Sequence, residues 1–280
     1  MLHVHRSDRA DGLISALSGL LADAPADPFA REIVAVPTRG MERWLTQRLS
    51  AGLGASPSRA DGICANVEFP FPRRLTGEAV ATASGIDPET DPWLPERLVW
   101  PLLDVVDGAL DEPWLKLLAG HLRANRARRF AAVRHIADLF DRYALHRPGL
   151  IRAWARGEDA QWQAELWRRL HALIDVPDPA SRLEGACARL REAPDTVELP
   201  ERLALFGLTR LPAGQLQVLR ALAHGRDVHL FLLHPSPAPK VAWISGAKVS
   251  MSGHITITSR GSRVGSSSSW CRIASRTTST

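Results

Sequence analysis

Apolar and polar positions follow two periods along this chain. Ile33, Val34, Ala35 and Val36 form an unbroken apolar run that reads as a buried strand, and after a turn holding Pro37 and Gly40 the residues Met41, Trp44, Leu45 and Leu49 recur at helical spacing. Thr38 is placed to cap that helix by accepting an otherwise orphan backbone N–H. On its other face Arg39, Arg43 and Gln47 fall at i, i+4 and i+8, which sets two guanidiniums side by side. A strand feeding a helix with a basic first turn suits a bound phosphate, because free N–H groups and the helix dipole both favour an anion there. It equally suits an ordinary αβ unit with a solvated polar face.

The same reading places a first strand at Leu2–His5 and a helix behind it, capped by Ser7 or Asp8, with Leu13, Leu17, Leu20 and Leu21 inward. Loops follow at 25–28 and 51–62, and a third short strand at Ile63–Phe69. Phe69-Pro70-Phe71-Pro72 must be extended, since a residue before proline is pushed out of the helical region. From Pro95 to about Arg191 only helices are expected, at 95–107, 112–122, 125–146, 148–156, 160–174 and 179–191. Tryptophans 93, 100, 114, 154, 162 and 167 lie in or beside this block, and at helical spacing they read as packing. Arg202–Gly207 returns to strand, 212–224 is a helix, and Asp227–Leu233 is a nearly continuous apolar run suited to a central parallel strand. The fold class is therefore α/β, a helix-covered parallel sheet interrupted by a helical insertion. Its divisions are 1–94, 95–198, 199–238 and 239–280.

The last of these differs in kind. After Pro239 there is no Asp, Glu or Phe, and Ser, Thr, Gly and Arg dominate, so the segment is expected to be disordered. The abrupt change reads as out-of-frame translation of a gene that normally continues, or as a natural linker. It also explains the charge. Six of the 35 basic residues lie beyond Pro239, and removing them leaves 29 against 30 acidic residues, so whole-chain basicity does not favour a nucleic-acid partner. No run of about 18 apolar residues occurs and no secretory signal is recognised, so a cytoplasmic protein without a membrane partner is expected. Cys64, Cys187 and Cys271 have neither metal-ligand nor redox spacing.

Candidate chemistry is sparse. The phosphate loop is absent: 6–12 reads RSDRADG, and Lys116 is the only lysine before Lys240. ATP hydrolysis by this chain alone is not expected, nor a metal or other cofactor. His3 and His5 share a strand face without evident partners and read as structural. In the helix 125–146, Phe130, Val133, Ile136, Phe140, Tyr143 and Ala144 make the inner face, while Arg134, Asp138, Asp141, Arg142 and Leu145 lie opposite. Asp138 and Arg142 read as an i, i+4 surface ion pair. Such a mixed face can also read base edges, with Asp accepting from cytosine and Arg donating to guanine.

Several stretches together resemble the N-terminal region of the RecC family, the gamma subunit of exodeoxyribonuclease V. They are LHVHRSDR, VPTRGMERWLTQRL, NVEFPFP, ADLFDRYALHRPGLIRAW, LALFGLTRLP and VHLFLLHP, in order across 1–237. The resemblance implies a superfamily-1 helicase-like sheet without a working ATPase. It implies a subunit that binds DNA ends, routes single strands in recombinational repair of double-strand breaks and scans one strand for the Chi signal. Cleavage and ATP hydrolysis, with ATP and Mg, would belong to RecB-like and RecD-like partners. The family's scanning positions carry over to Arg39, Arg43, Phe71, Asp138, Leu139, Asp141 and Arg147. The helix residues match the family in type, whereas Arg39, Arg43 and Phe71 differ, Pro37 stands at a polar position and Gly77 at an aromatic one. The rival reading is an inert truncated fragment that binds neither DNA nor partners.

Overall fold

The computed structural model describes residues 1–23, 25, 27, 29–55, 62–123, 126–234, 242–244, 247–249 and 255–257. Five parallel strands form its centre: β1 (Leu2–Ser7), β2 (Glu32–Ala35), β3 (Val67–Glu68), β4 (Arg202–Phe206) and β5 (Asp227–Leu233), in the spatial order β3-β2-β4-β5-β1. β5 pairs in register with both neighbours, Leu203 and Leu2 flanking Val228, and Leu205 and Val4 flanking Leu230. Its apolar run is buried on both faces, as its composition requires of a central parallel strand.

Two further strands, β6 (Ala242–Ile244) and β7 (Ala247–Val249), pair antiparallel, and β8 (Ile255–Ile257) lies antiparallel on the edge of β1. They fall inside the stretch expected to be disordered. The remainder of 239–280, Cys271 included, lies outside the described residues.

The helices are α1 (Ala10–Ala22), α2 (Arg39–Ser50), α3 (Pro72–Ala83), α4 (Pro95–Gly108), α5 (Lys116–Arg123), α6 (Arg126–His146), α7 (Pro148–Ala155), α8 (Trp162–Leu173), α9 (Pro179–Glu192) and α10 (Ala213–Leu222). α1 and α2 cover one sheet face, burying Leu13, Leu17, Leu45 and Leu49 against Val34, Phe206 and Phe231. On the other face α3, α9 and α10 set Leu75, Ala79, Leu190 and Leu219 against Ile33, Leu203 and Leu230. Between β3 and β4, α4 to α8 enclose a second core. Trp93 and Trp167 lie 5.0 Å apart, Phe140 meets Trp167 edge-on at 5.3 Å, and Trp93 Nε1 donates to the Val176 carbonyl at 2.8 Å. α9 joins the two cores, starting with Ala180 in the helical one and ending with Cys187 and Leu190 on the sheet. No helix among the described residues is long and apolar enough to cross a membrane.

Several expectations are corrected. The third strand shrinks to two residues because Asn66 turns to φ 57°, its amide donating to the carbonyls of Phe29 and Ala30, and Ile63 is left exposed. α1 starts after Arg9 with no side-chain cap; the Ser7 hydroxyl accepts the Arg9 N–H at 3.1 Å and so cannot reach farther into the helix. α3 falls where no helix is expected, although Pro72 at its first position and Leu75, Ala79 and Val80 at helical spacing mark it. Trp100 does not pack inward but is 59% exposed, and Phe130 leaves the inner face to stand beside it. His3 and His5 do have partners: His3 meets the Asp227 carboxylate at 2.9 Å, and His5 Nε2 meets His229 Nδ1 at 3.0 Å. Sheet pairing brings these rings together from opposite ends of the chain. They stack rather than converge, and no metal-binding cluster exists among the described residues.

Candidate nucleic-acid interface

β2 and β4 are neighbours, but α2 leaves β2 toward one face and α10 leaves β4 toward the other. Their carboxyl ends therefore open a crevice, the place where parallel α/β sheets bind ligands. Arg39 stands at this opening. Thr38 caps α2, its Oγ1 accepting the Met41 N–H at 3.1 Å, which holds Arg39 in the first turn. The Arg39 guanidinium lies 5.4 Å from the centre of the Phe71 ring and donates to Glu42 at 2.6 Å. Phe71 is extended because Pro72 follows, and the Val36 N–H donates to the Pro70 carbonyl at 3.0 Å, tying this segment to the end of β2. Gly207, just past β4, has φ +72°, and a Cβ there would come within 3.0 Å of the Met41 methyl.

From Phe71 a groove of about 700 Å³ runs between α3, the first turns of α4, α9 and α10, and the last turns of α6. Phe71, Asp141 and Leu145 line it. Asp141, only 14% exposed, is ion-paired with Arg73, so α3 and α6 are joined across the groove. Burial holds the Arg73 guanidinium below its ordinary pKa, and the charges of Asp138 and Glu96 offset only part of that shift. Deeper down Arg182 pairs with Asp91, both almost fully buried, and Asp91 also accepts the Trp93 N–H at 3.0 Å. Arg74 at the rim is raised by its hydrogen bond to Glu78 at 2.6 Å.

The fold thus brings Phe71 and Asp141 to one groove, with Arg39 over the Phe71 ring at its end, although the three are far apart in the chain. Asp138 is half-buried and acts on the crevice through Arg73. Leu139 is half-buried and does not line the groove, while Arg43 and Arg147 are exposed outside it. The expected Asp138–Arg142 ion pair is absent. Arg142 Nε instead donates to the Asp138 backbone carbonyl at 3.2 Å, a nearer acceptor on the same helix face. Sequence reading missed Arg73, Asp91 and Arg182. The first sits on α3, where no helix is expected, and the other two gain meaning only by meeting each other across 91 positions of the chain, as Arg73 does with Asp141 across 68.

A family model described as RecC, N-terminal domain, matches residues 2–251. Over 84% of its length the chain is 46% identical to the RecBCD enzyme subunit RecC of Mycobacterium tuberculosis, covering 22% of that protein. It is 45% identical to the same subunit of Mycolicibacterium smegmatis and 28% identical to that of Escherichia coli K12, covering 21% and 22% of them. The chain spans about a fifth of the length of the curated relatives it matches.

Proposed function

The chain belongs to the RecC N-terminal domain family, and from that premise we propose that it is the DNA-handling, non-catalytic part of a RecC-type subunit of a RecBCD helicase–nuclease acting in double-strand break repair. In this reading the sheet is a helicase-like core without a phosphate loop. Only Asp8 and Arg9 connect β1 to α1, where such a loop would lie, which supports the reading. ATP and Mg would be used by RecB-like and RecD-like partners. The single observation that carries the proposal is the groove lined by Phe71 and Asp141, with the Arg39 guanidinium over the Phe71 ring at the carboxyl end of β2. A cation over an aromatic ring supplies both halves of single-strand binding, a phosphate contact and a stacking surface, with a carboxylate behind them for a base edge. Arg43 and Arg147 would hold flanking phosphates, and Asp138 and Leu139 would set the walls for scanning a sequence such as Chi.

The test is single-stranded DNA binding by the 280-residue chain as a function of salt. Replacing Arg39 and Arg43 together by alanine is expected to weaken binding and to lower the salt slope by about 0.7 for each phosphate that is no longer neutralised. An unchanged slope refutes the assignment of these residues. A chain that binds neither DNA nor RecB-type and RecD-type subunits would be the inert fragment instead.

A further inference from the structure

Trp100 on α4 and Phe130 on α6 form an aromatic pair outside both cores. Their ring centroids are 5.7 Å apart at 48°, and the two residues are 59% and 37% exposed. Every other tryptophan of the helical block is buried or half-buried, so this pair is not core packing. Its position matters. Phe130, Arg134, Asp138 and Asp141 are spaced i, i+4, i+8 and i+11 and so lie on one face of α6. At 1.5 Å per residue, Phe130 is about 16 Å along that helix from Asp141 in the groove. α4 repeats the relationship, with Glu96 in its first turn lining the groove and Trp100 one turn farther on.

Charge at this end of α6 favours a polyanion. From Arg128 to Ala137 the helix carries Arg128, Arg129 and Arg134 and no carboxylate, and its N-terminus is the positive end of the helix dipole. Arg129 is held by Asp107 at 2.7 Å, whereas Arg134 is exposed.

We propose that Trp100 and Phe130 are a base-stacking platform for the single strand that continues beyond the groove along α6, with Arg134 on its backbone. This rests on the DNA-handling reading above. Stacking on an aromatic face tolerates any base, so the platform would hold the strand without reading it.

The experiment measures binding of labelled oligodeoxythymidylate to the full chain at several salt concentrations, with photocrosslinking from 5-iododeoxyuridine as a second readout. Trp100→Ala is expected to weaken binding about tenfold with an unchanged salt slope, because stacking releases no counterions. Trp100→Phe should retain most of the affinity, Phe130→Ala should resemble Trp100→Ala, and crosslinks should map to the peptides holding Trp100 or Phe130. If Trp100→Ala binds like the parent while the Arg39/Arg43 double variant is weakened, the platform is refuted and the groove reading stands. If the parent chain binds no oligonucleotide, both fall. If Trp100→Ala keeps its DNA affinity but fails to associate with RecB-type or RecD-type subunits, the pair is a protein-docking surface and the proposal is overturned.

Discussion

Arg73 and Asp141 form an ion pair that bridges α3 and α6 across the candidate groove, so the carboxylate expected to meet a base is already engaged. Asp141 is mostly buried, whereas Arg73 is 45% exposed, so the two ends of the pair are unequally desolvated. A strand entering the groove must offer Asp141 a donor at least as good as Arg73, or leave the pair closed.

Arg73→Gln should strand the Asp141 carboxylate in a largely buried site. Removing a partner of a fully buried pair costs about 3–5 kcal/mol, and the exposure of Arg73 reduces this to about 1–2 kcal/mol. Adding Asp141→Asn should recover part of the loss. Urea unfolding of the two single variants and the double variant gives the coupling, and additive losses would show that the pair contributes nothing.

Gly207→Ala should destabilise the fold by about 1–3 kcal/mol, since L-residues disfavour the left-handed region and the new methyl would press on Met41. Adding Met41→Ala should relieve the clash and leave the backbone strain. The denaturation midpoint reads both, and complete recovery in the double variant would rule out a backbone contribution.

Thr38→Ala should cost about 1 kcal/mol through loss of the α2 cap, and Thr38→Ser should restore most of it. Because Arg39 begins that helix, the alanine variant should also bind single-stranded DNA more weakly. Equal DNA affinity in the two variants would show that the cap does not position Arg39.

His229 should make the protein sensitive to mild acid. Burial, then the neighbouring His3 and His5, lowers its pKa from 6.5 to about 4, with Asp227 acting in the opposite direction. Between pH 6.5 and 4 the unfolded chain takes up a proton that the folded chain refuses. Stability is therefore complete above 6.5 and falls as pH drops through that window. His229→Gln should flatten this part of the stability–pH curve measured by chemical denaturation. A curve with unchanged slope would assign the acid sensitivity to other groups.

The sheet is legible in the sequence because its signals are local. The apolar run marks Asp227–Leu233 to the residue, and proline and apolar spacing place the helices from Pro95 onward within a few residues. α3 escapes because the prolines before it point to the extended segment rather than to the helix they open. Ile63–Phe69 reads as a longer strand than it is because Asn66 adopts a left-handed conformation that composition does not announce.

By itself, the sequence determined the family, the parallel α/β class, the absence of a phosphate loop and the helices from Pro95 onward, all of which depend on residue types at short spacing. Tertiary structure alone decided which residues share the crevice. Strand order placed β2 beside β4, the Arg39 guanidinium came to rest over Phe71, and α3 met α6 through Arg73 and Asp141. It also separated Trp100 from the buried tryptophans. Helical spacing gives the face on which a side chain lies, but only the packing of other helices shows whether that face is covered.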